Sequence, residues 1–416
     1  MSTEHPAWTN FYQTGRKQKD LGTEITELPL DASKNIQPWL TALFQSEHIS
    51  LLAGSGLTHA TLGACGGSAT SMRMAKFQEY GDVIDARATD HAAKLGRGSP
   101  NLEDQIRAAN ELIAGLEILK PDEKLELADE LSTVLTTFYS DLLKTEATLK
   151  SKLATAEGQD ALGLLQSFLM SFASRNATRE RLHIFTTNYD RFIELGCDHA
   201  GIRVVDRFVG CLEPIFRASR LDVDYHFNPP GIKGEPRYLE GVVRLTKLHG
   251  SLDWRWAGRK VVRADVRFGS ESTQIENARE TLMIYPNSTK DFETTGFPYV
   301  ELFRDFSAAL CRPNSVLVTY GYSFGDDHIN RVIEDMLTIP STHLVIIGHS
   351  DTGGRIQAFC RKTARRSQTT ILIGMHLAGL ESLVEHLLPK PAIDLVTNRE
   401  VAIRETQRKV EGEAEQ

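Results

Sequence analysis

Short apolar runs that end abruptly in glycine or polar residues recur along this 416-residue chain and limit the folds it can adopt. Such runs are typical of strands that are covered on both faces of a sheet. Helical patterns, with apolar residues three or four positions apart, separate several of them. This alternation predicts an α/β fold, with a Rossmann-type, mainly parallel sheet and helices on both faces. The runs lie at Ile49–Ala53, Leu182–Phe185, Val242–Leu248, Leu282–Tyr285, Ser315–Tyr320, Leu344–Ile347 and Thr370–Ile373.

The pattern predicts three parts along the chain. Residues 1–46 form an N-terminal extension that is polar and aperiodic to about residue 30 and then helical. Residues 47–390 form the main domain, and three amphipathic patterns between about 100 and 175 predict a helical insertion in it. The segment 206–240, rich in proline and glycine, predicts a long loop or irregular insert. Residues 391–416 form a charged tail, which we expect to be solvated and dispensable for chemistry.

The composition argues against several classes of protein. The formal net charge of −8 argues against a generally basic nucleic-acid binder. The five cysteines are far apart and form no CxxC pair, so we expect reduced thiols, no zinc and no metal site. The N-terminus has no apolar signal region, and no stretch approaches the roughly 20 apolar residues of a bilayer span. These features predict a soluble, cytoplasmic protein.

Glycines and small polar residues follow the first predicted strand. Gly54, Ser55 and Gly56 come directly after it and are followed by Leu57 and Thr58. A glycine turn at this point lets backbone N–H groups approach a phosphate closely, and the next helix adds a favourable dipole. The spacing matches neither GxGxxG nor the GxxxxGK[ST] phosphate loop, so a plain strand-to-helix turn is also consistent with it.

Three later strands end in similar groups of residues. Asn188 and Asp190 follow the strand at 182–185, where they either serve a functional site or cap the next helix. His249 follows the strand at 242–248 and is either a general base or a structural histidine. Gly321 and Ser323 follow the strand at 315–320 and suit a ribose or phosphate contact, while the aspartates after them are consistent with helix caps.

Taken in order, these motifs resemble the sirtuin (silent information regulator) superfamily. They are Gly54-Ser-Gly, Thr187-Asn188-Tyr-Asp190, Lys247-Leu-His249-Gly250 and Gly321-Tyr-Ser323. They look most like its bacterial sirtuin-like branch in anti-phage defence, in which KLHGSLDW and GYSFGDDHIN are typical phrases. The resemblance spans roughly residues 47 to 375.

The resemblance implies an enzyme that binds NAD. It implies that Asn188 and His249 are catalytic at the nicotinamide ribose and that Asp190 supports them. It places Gly54, Ser55 and Gly56 on the phosphates of the cofactor, and Gly321 and Ser323 on its adenosine half. Thr58 is a further expected cofactor-binding residue.

The chain departs from the deacylating sirtuins in two places. Those proteins carry a four-cysteine zinc module after the catalytic histidine, whereas no cysteine lies between Cys211 and Cys311 here. Their glycine loop continues into a proline–aspartate–phenylalanine–arginine phrase, which is replaced by Leu57-Thr58-His59-Ala60-Thr61. We therefore expect an NAD glycohydrolase that releases nicotinamide and ADP-ribose. The alternatives are an NAD-dependent deacylase or ADP-ribosyl transferase, and a non-catalytic NAD or ADP-ribose sensor.

The expected partners follow from the same resemblance. An NAD-depleting effector of anti-phage defence needs restraint, and relatives in that branch are often encoded beside a partner such as a HerA-type translocase ATPase. This chain contains no Walker motif, so a separate activating partner or self-assembly is expected. The apolar stripes of the helical insertion must be buried, either on the sheet domain or against another copy of the chain, so a homo-oligomer is expected. No membrane association and no strong direct nucleic-acid binding are expected.

Overall fold

The structure is a computed structural model that describes residues 8–70, 72–94, 99–175, 179–219, 225–227, 237–270, 281–283 and 296–390. Its main feature is a nine-stranded sheet with the order β2-β1-β16-β15-β14-β3-β4-β10-β5. The seven strands from β16 to β5 are parallel, whereas β1 and β2 are antiparallel. The strands are β1 (Phe11–Thr14), β2 (Lys17–Asp20), β3 (His48–Ala53), β4 (His183–Thr186), β5 (Arg203–Val205), β6 (Phe208–Val209), β7 (Ile215–Phe216), β8 (His226–Phe227), β9 (Arg237–Tyr238), β10 (Val242–Lys247), β11 (Gly250–Ala257), β12 (Lys260–Arg263), β13 (Thr281–Met283), β14 (Ser315–Tyr320), β15 (His343–Gly348) and β16 (Thr369–Ile373).

Helices cover both faces of this sheet, which confirms the predicted α/β fold. Neighbouring residues of β3 show the two layers, because Leu51 packs into one apolar core and Leu52 into the other. Burial on both faces explains why the central strands are mostly apolar. The helices are α1 (Leu30–Phe44), α2 (Ser55–Ala64), α3 (Gly81–Lys94), α4 (Leu102–Leu119), α5 (Pro121–Lys152), α6 (Ala156–Ala173), α7 (Phe192–His199), α8 (Tyr299–Leu310), α9 (Asp327–Met336) and α10 (Arg355–Thr363), with short helical turns over 375–387.

The helical insertion contains the three helices that its periodicity predicts, α4 to α6. Their ends follow ordinary sequence rules: Asn101 and Asp104 form a capping box before α4, and Pro121 starts α5. Helix α3, which the sequence analysis did not identify, packs against α4. Apolar residues of α4 and α5 form a third core with Tyr189 and Leu252, so the insertion lies against the segments that follow β4 and β10.

A second sheet forms where the sequence predicts a loop. Strands β6 and β7 lie within 206–240 and join β11, β12 and β13 in the order β13-β11-β12-β7-β6. The described part of that segment is therefore an irregular insert, as the sequence also allowed, and not a single long loop. Residues 220–224 and 228–236 of this segment, and the end of the strand predicted at 282–285, lie outside the described residues.

The N-terminal segment also differs from its prediction as polar and aperiodic. Strand β1 pairs with β16, and all four of its residues are buried. The hairpin of β1 and β2 therefore extends the main sheet. The predicted tail at 391–416 lies outside the described residues. Among the described helices, none is both long and apolar enough to cross a membrane.

Candidate active site

Four neighbouring strands, in the order β14-β3-β4-β10, bring the sequence motifs to one edge of the sheet. Each motif follows the carboxyl end of its strand, and these strands are parallel, so the four motifs meet. A cavity of about 250 Å³ lies there. Six of the predicted site residues line it: Ser55, Thr58, Asn188, Asp190, His249 and Ser323.

The Asn188 carboxamide is held in one orientation. Its Nδ2 donates to Gly54 O at 3.0 Å and to Thr58 Oγ1 at 3.1 Å. Thr58 donates its own hydroxyl hydrogen to Asp190 Oδ2 at 2.7 Å, so it can only accept from Asn188. Both neighbours of Nδ2 are acceptors, which fixes the nitrogen on that side. The carboxamide oxygen is the atom left to accept a hydrogen bond from a ligand or water.

The carboxylate of Asp190 bonds both to Thr58 and to the start of the next helix. Its second oxygen, Oδ1, accepts from the backbone N–H of Phe192 at the start of α7. Asp190 therefore bonds to the first N–H of α7 from the position before its N-cap residue, Arg191, and its role in a functional site stays a prediction. Asp190 acts on Asn188 through Thr58, so it is a positioning residue, although it also lines the cavity.

The predicted cofactor glycines lie against each other. A Cβ on Gly56 would come within 2.5 Å of Gly321 Cα, and one on Gly54 within 2.5 Å of Gly321 O. Gly321 also has a φ of +59°, in the left-handed region that favours glycine. The contact between the turns after β3 and β14 thus explains all three glycines. Their contact with phosphates stays a prediction.

His249 is buried beside a second histidine. It is 3% exposed, and its Nε2 lies 3.3 Å from Nε2 of His328. His328 lies in the first turn of α9, and Asp326 immediately precedes that helix. From the sequence, Asp326 was expected only as a helix cap and His328 was not expected in the site, although Asp326 and His328 lie in the GYSFGDDHIN phrase. Their position near His249 depends on how the loop after β14 turns.

Two buried ion pairs hold the loop that carries Asn188. Lys247 is 3% exposed; its ammonium donates to Asp190 O and to Glu194 Oε1, the latter at 2.9 Å. Arg191 Nη2 lies 2.7 Å from Oε2 of Glu146, a fully buried residue of α5. Burial raises the pKa of Glu146, and Arg191 partly offsets this. The helical insertion is therefore tied to the residues next to Asn188, which the sequence did not reveal.

Arg355, Ser323 and Ser55 add polar groups to the cavity. Arg355 lines it and its Nε donates to Ser323 O at 3.0 Å. Ser55 also lines it, in the first turn of α2, where backbone N–H groups and the helix dipole favour an anion. The cavity thus combines a fixed carboxamide and a buried histidine with groups suited to phosphate.

Comparison with known proteins gives a family match for part of the chain. Residues 182–372 match the family described as SIR2-like domain. This span runs from the residue before β4 into β16 and includes Asn188, His249 and Ser323, whereas the glycine turn after β3 precedes it. No curated protein matches the chain significantly. The match to the SIR2-like domain supports a place in the sirtuin-like superfamily and a function connected with NAD.

Proposed function

We propose that the protein is an NAD glycohydrolase. The observation that carries the proposal is that Asn188 and His249, from neighbouring strands, line one cavity together with groups suited to phosphate. The matched SIR2-like domain supports NAD as the substrate. Because the cysteine spacing and the sequence after Gly56 depart from the deacylating sirtuins, water is the proposed acceptor of the ADP-ribosyl group.

The reaction breaks the bond between the nicotinamide nitrogen and C1′ of the ribose. The bonding electrons leave with nicotinamide, and the ribose passes through a state that resembles an oxocarbenium ion. The carboxamide oxygen of Asn188 is fixed before the substrate arrives, so it can orient the ribose or the attacking water without reorganisation. Water then bonds to C1′ while its proton moves to the imidazole of His249, the general base.

The phosphates of NAD have suitable partners nearby. The positive charge of Arg355 and the N-terminus of α2 at Ser55 favour the pyrophosphate, and Ser323 offers a hydroxyl group. In this arrangement the nicotinamide ribose lies toward Asn188 and His249.

The test is release of nicotinamide and ADP-ribose from NAD without any acylated peptide, with candidate activators supplied. Asn188→Ala and His249→Ala should each lower turnover by roughly 100-fold or more, because each removes a group that acts at the ribose. The double variant should be little slower than either single one. His199→Ala is the control, since His199 is an exposed residue of α7.

Three results would contradict the proposal. Full activity in His249→Ala would remove the base. Release that depends strictly on an acyl-lysine peptide would favour a deacylase. NAD binding without turnover under every condition would favour a sensor.

We also propose a biological role for this activity. The phrases KLHGSLDW and GYSFGDDHIN support an NAD-depleting effector of anti-phage defence, acting in the cytoplasm. Such an activity must be silent until it is triggered, so we propose control by homo-oligomerisation or by a separate partner such as a HerA-type translocase ATPase. NAD consumption by the purified protein, with and without that partner, tests this proposal. Equal rates under both conditions would contradict control by the partner.

A further inference from the structure

Two histidines and one aspartate converge at the rim of the cavity. The ligand atoms of His249, His328 and Asp326 all lie within 4.8 Å of one another. Among the described residues, no other group of three or more histidine, cysteine or carboxylate side chains could hold a metal ion in this way. The three come from two segments, the turn after β10 and the N-terminal end of α9 with the residue that precedes it.

The separation of the two imidazoles matches a shared metal ion. Their Nε2 atoms are 3.3 Å apart. With zinc–nitrogen bonds of about 2.0–2.1 Å and tetrahedral angles, two nitrogen ligands lie about 3.3–3.4 Å apart. A long N–H···N hydrogen bond between the two imidazoles also has this length, so the test below separates the two arrangements. The histidines therefore need little or no movement to bind one ion between them.

We propose that His249, His328 and Asp326 bind a divalent transition-metal ion such as Zn²⁺, and that the bound ion inhibits the enzyme. Two imidazoles and one carboxylate suit Zn²⁺, Co²⁺ or Ni²⁺, whereas Mg²⁺ and Ca²⁺ prefer oxygen ligands alone. The fourth position stays open to a water or ligand, since His249 and Asp326 line the cavity. The expectation of no metal site came from the cysteines, which do not contribute here.

The inhibitory role rests on the proposed function, because it concerns the same base. An imidazole nitrogen that coordinates an ion has no lone pair to accept a proton from water. The ion also places positive charge where the reaction develops an oxocarbenium ion, which opposes that charge. Removing the ion restores the base, so the inhibition is reversible.

Metal binding is tested without NAD. Co²⁺ is titrated into the full-length protein, and its visible absorption reports a site with nitrogen ligands and low coordination number. We expect one Co²⁺ per chain, displaced by Zn²⁺ and weakened roughly tenfold or more in His328→Ala and Asp326→Asn, since each removes a direct ligand.

Asp327→Asn is the matched control. It removes the same charge from the next residue, which is exposed and outside the cluster. Equal weakening by Asp326→Asn and Asp327→Asn, or no Co²⁺ spectrum in the folded wild type, would overturn the site and leave a direct hydrogen bond between the imidazoles.

Inhibition is tested separately, with NAD. Zn²⁺ should stop hydrolysis by the wild type, and a chelator should restore it. In Asp326→Asn the half-inhibiting Zn²⁺ concentration should rise roughly tenfold or more, relative to that variant's own activity, and in Asp327→Asn it should not. Hydrolysis that persists with the metal site filled would overturn the inhibitory role. Co²⁺ binding in a protein that never hydrolyses NAD would uphold the site but overturn both the proposed function and the inhibition.

Discussion

Thr58 has one hydroxyl hydrogen, and the carboxylate of Asp190 accepts it. The hydroxyl oxygen therefore accepts from Asn188. This bond turns the Nδ2 end of the carboxamide toward Thr58 and its oxygen away from Thr58. Without the hydroxyl group, Asn188 would keep one partner, Gly54 O, and would rotate more freely. The precision of the site thus depends on a side chain that the resemblance assigns only to cofactor binding.

We predict that Thr58→Val lowers kcat by roughly 10- to 100-fold with a smaller effect on KM, because Val has nearly the same shape but cannot orient Asn188. Thr58→Ser keeps the hydroxyl group and should stay within a few-fold of the wild type. Steady-state kinetics on NAD measures both.

Thr61→Val is the control for this prediction. Thr61 is buried on the same helix, and its hydroxyl donates to Leu57 O within that helix. A similar loss of kcat in Thr58→Val and Thr61→Val would show that the effect comes from packing and not from the orientation of Asn188.

Some site residues could be predicted from the sequence, and others could not. Asn188 and His249 directly follow strands, and the carboxyl ends of parallel strands meet at one edge, so local patterns suffice. Asp326 and His328 lie several residues beyond β14. Their position depends on the path of the connecting loop, which hydrophobic periodicity does not specify.

At the scale of elements, the turns after β3 and β14 pack backbone against backbone. Gly54 N–H donates to Tyr320 O at 2.9 Å and Gly56 N–H to Gly321 O at 3.1 Å. This contact sets the position of α2, which carries Ser55 and Thr58 to the cavity. A side chain at either turn would push the two strand ends apart.

We predict that Gly56→Ala destabilises the fold by about 1–3 kcal/mol, because its Cβ would meet backbone atoms that cannot move independently. Gly63→Ala, on the same helix, should instead stabilise by up to about 1 kcal/mol, since its Cβ meets open space. Urea unfolding of both variants gives the comparison. Equal effects at the two positions would contradict the close contact.

The helices of the insertion could be predicted better than its contacts. Three amphipathic patterns predicted α4, α5 and α6, because each of these helices buries one stripe of apolar residues. The pairing of Glu146 with Arg191 joins residues 45 positions apart, and Tyr139 donates to Leu252 O across 113 positions. Such contacts leave no local pattern. The same reason applies to β1, which pairs with β16 at the other end of the described chain.

For the whole molecule, buried histidines set the response to acid. Burial lowers the pKa of His343 from 6.5 to about 4 and that of His183 well below 6.5. Both side chains are neutral in the folded protein and gain a proton more easily when it unfolds. The stability that His343 contributes is complete above pH 6.5 and is lost as the pH falls toward 4.

We predict that the free energy of unfolding falls between pH 8 and pH 5, with about 2 kcal/mol of the loss due to His343. His343→Gln should show a loss smaller by that amount, because it has no proton to gain. Denaturant unfolding at both pH values measures the difference, and the exposed His199→Gln is the control. The same loss in His343→Gln and the wild type would contradict the prediction.

The hairpin at the N-terminus has a consequence for how the protein behaves at high concentration. Without it, β16 would be the outer strand, and its apolar residues Ile371, Leu372 and Ile373 would offer an open edge. Strand β2 takes that place with four exposed polar or charged residues, Lys17–Asp20. At the opposite edge, β5 has only three residues. The charged strand at one edge and the short strand at the other both discourage pairing with strands of other molecules. The apolar central strands are therefore protected from edge-to-edge aggregation.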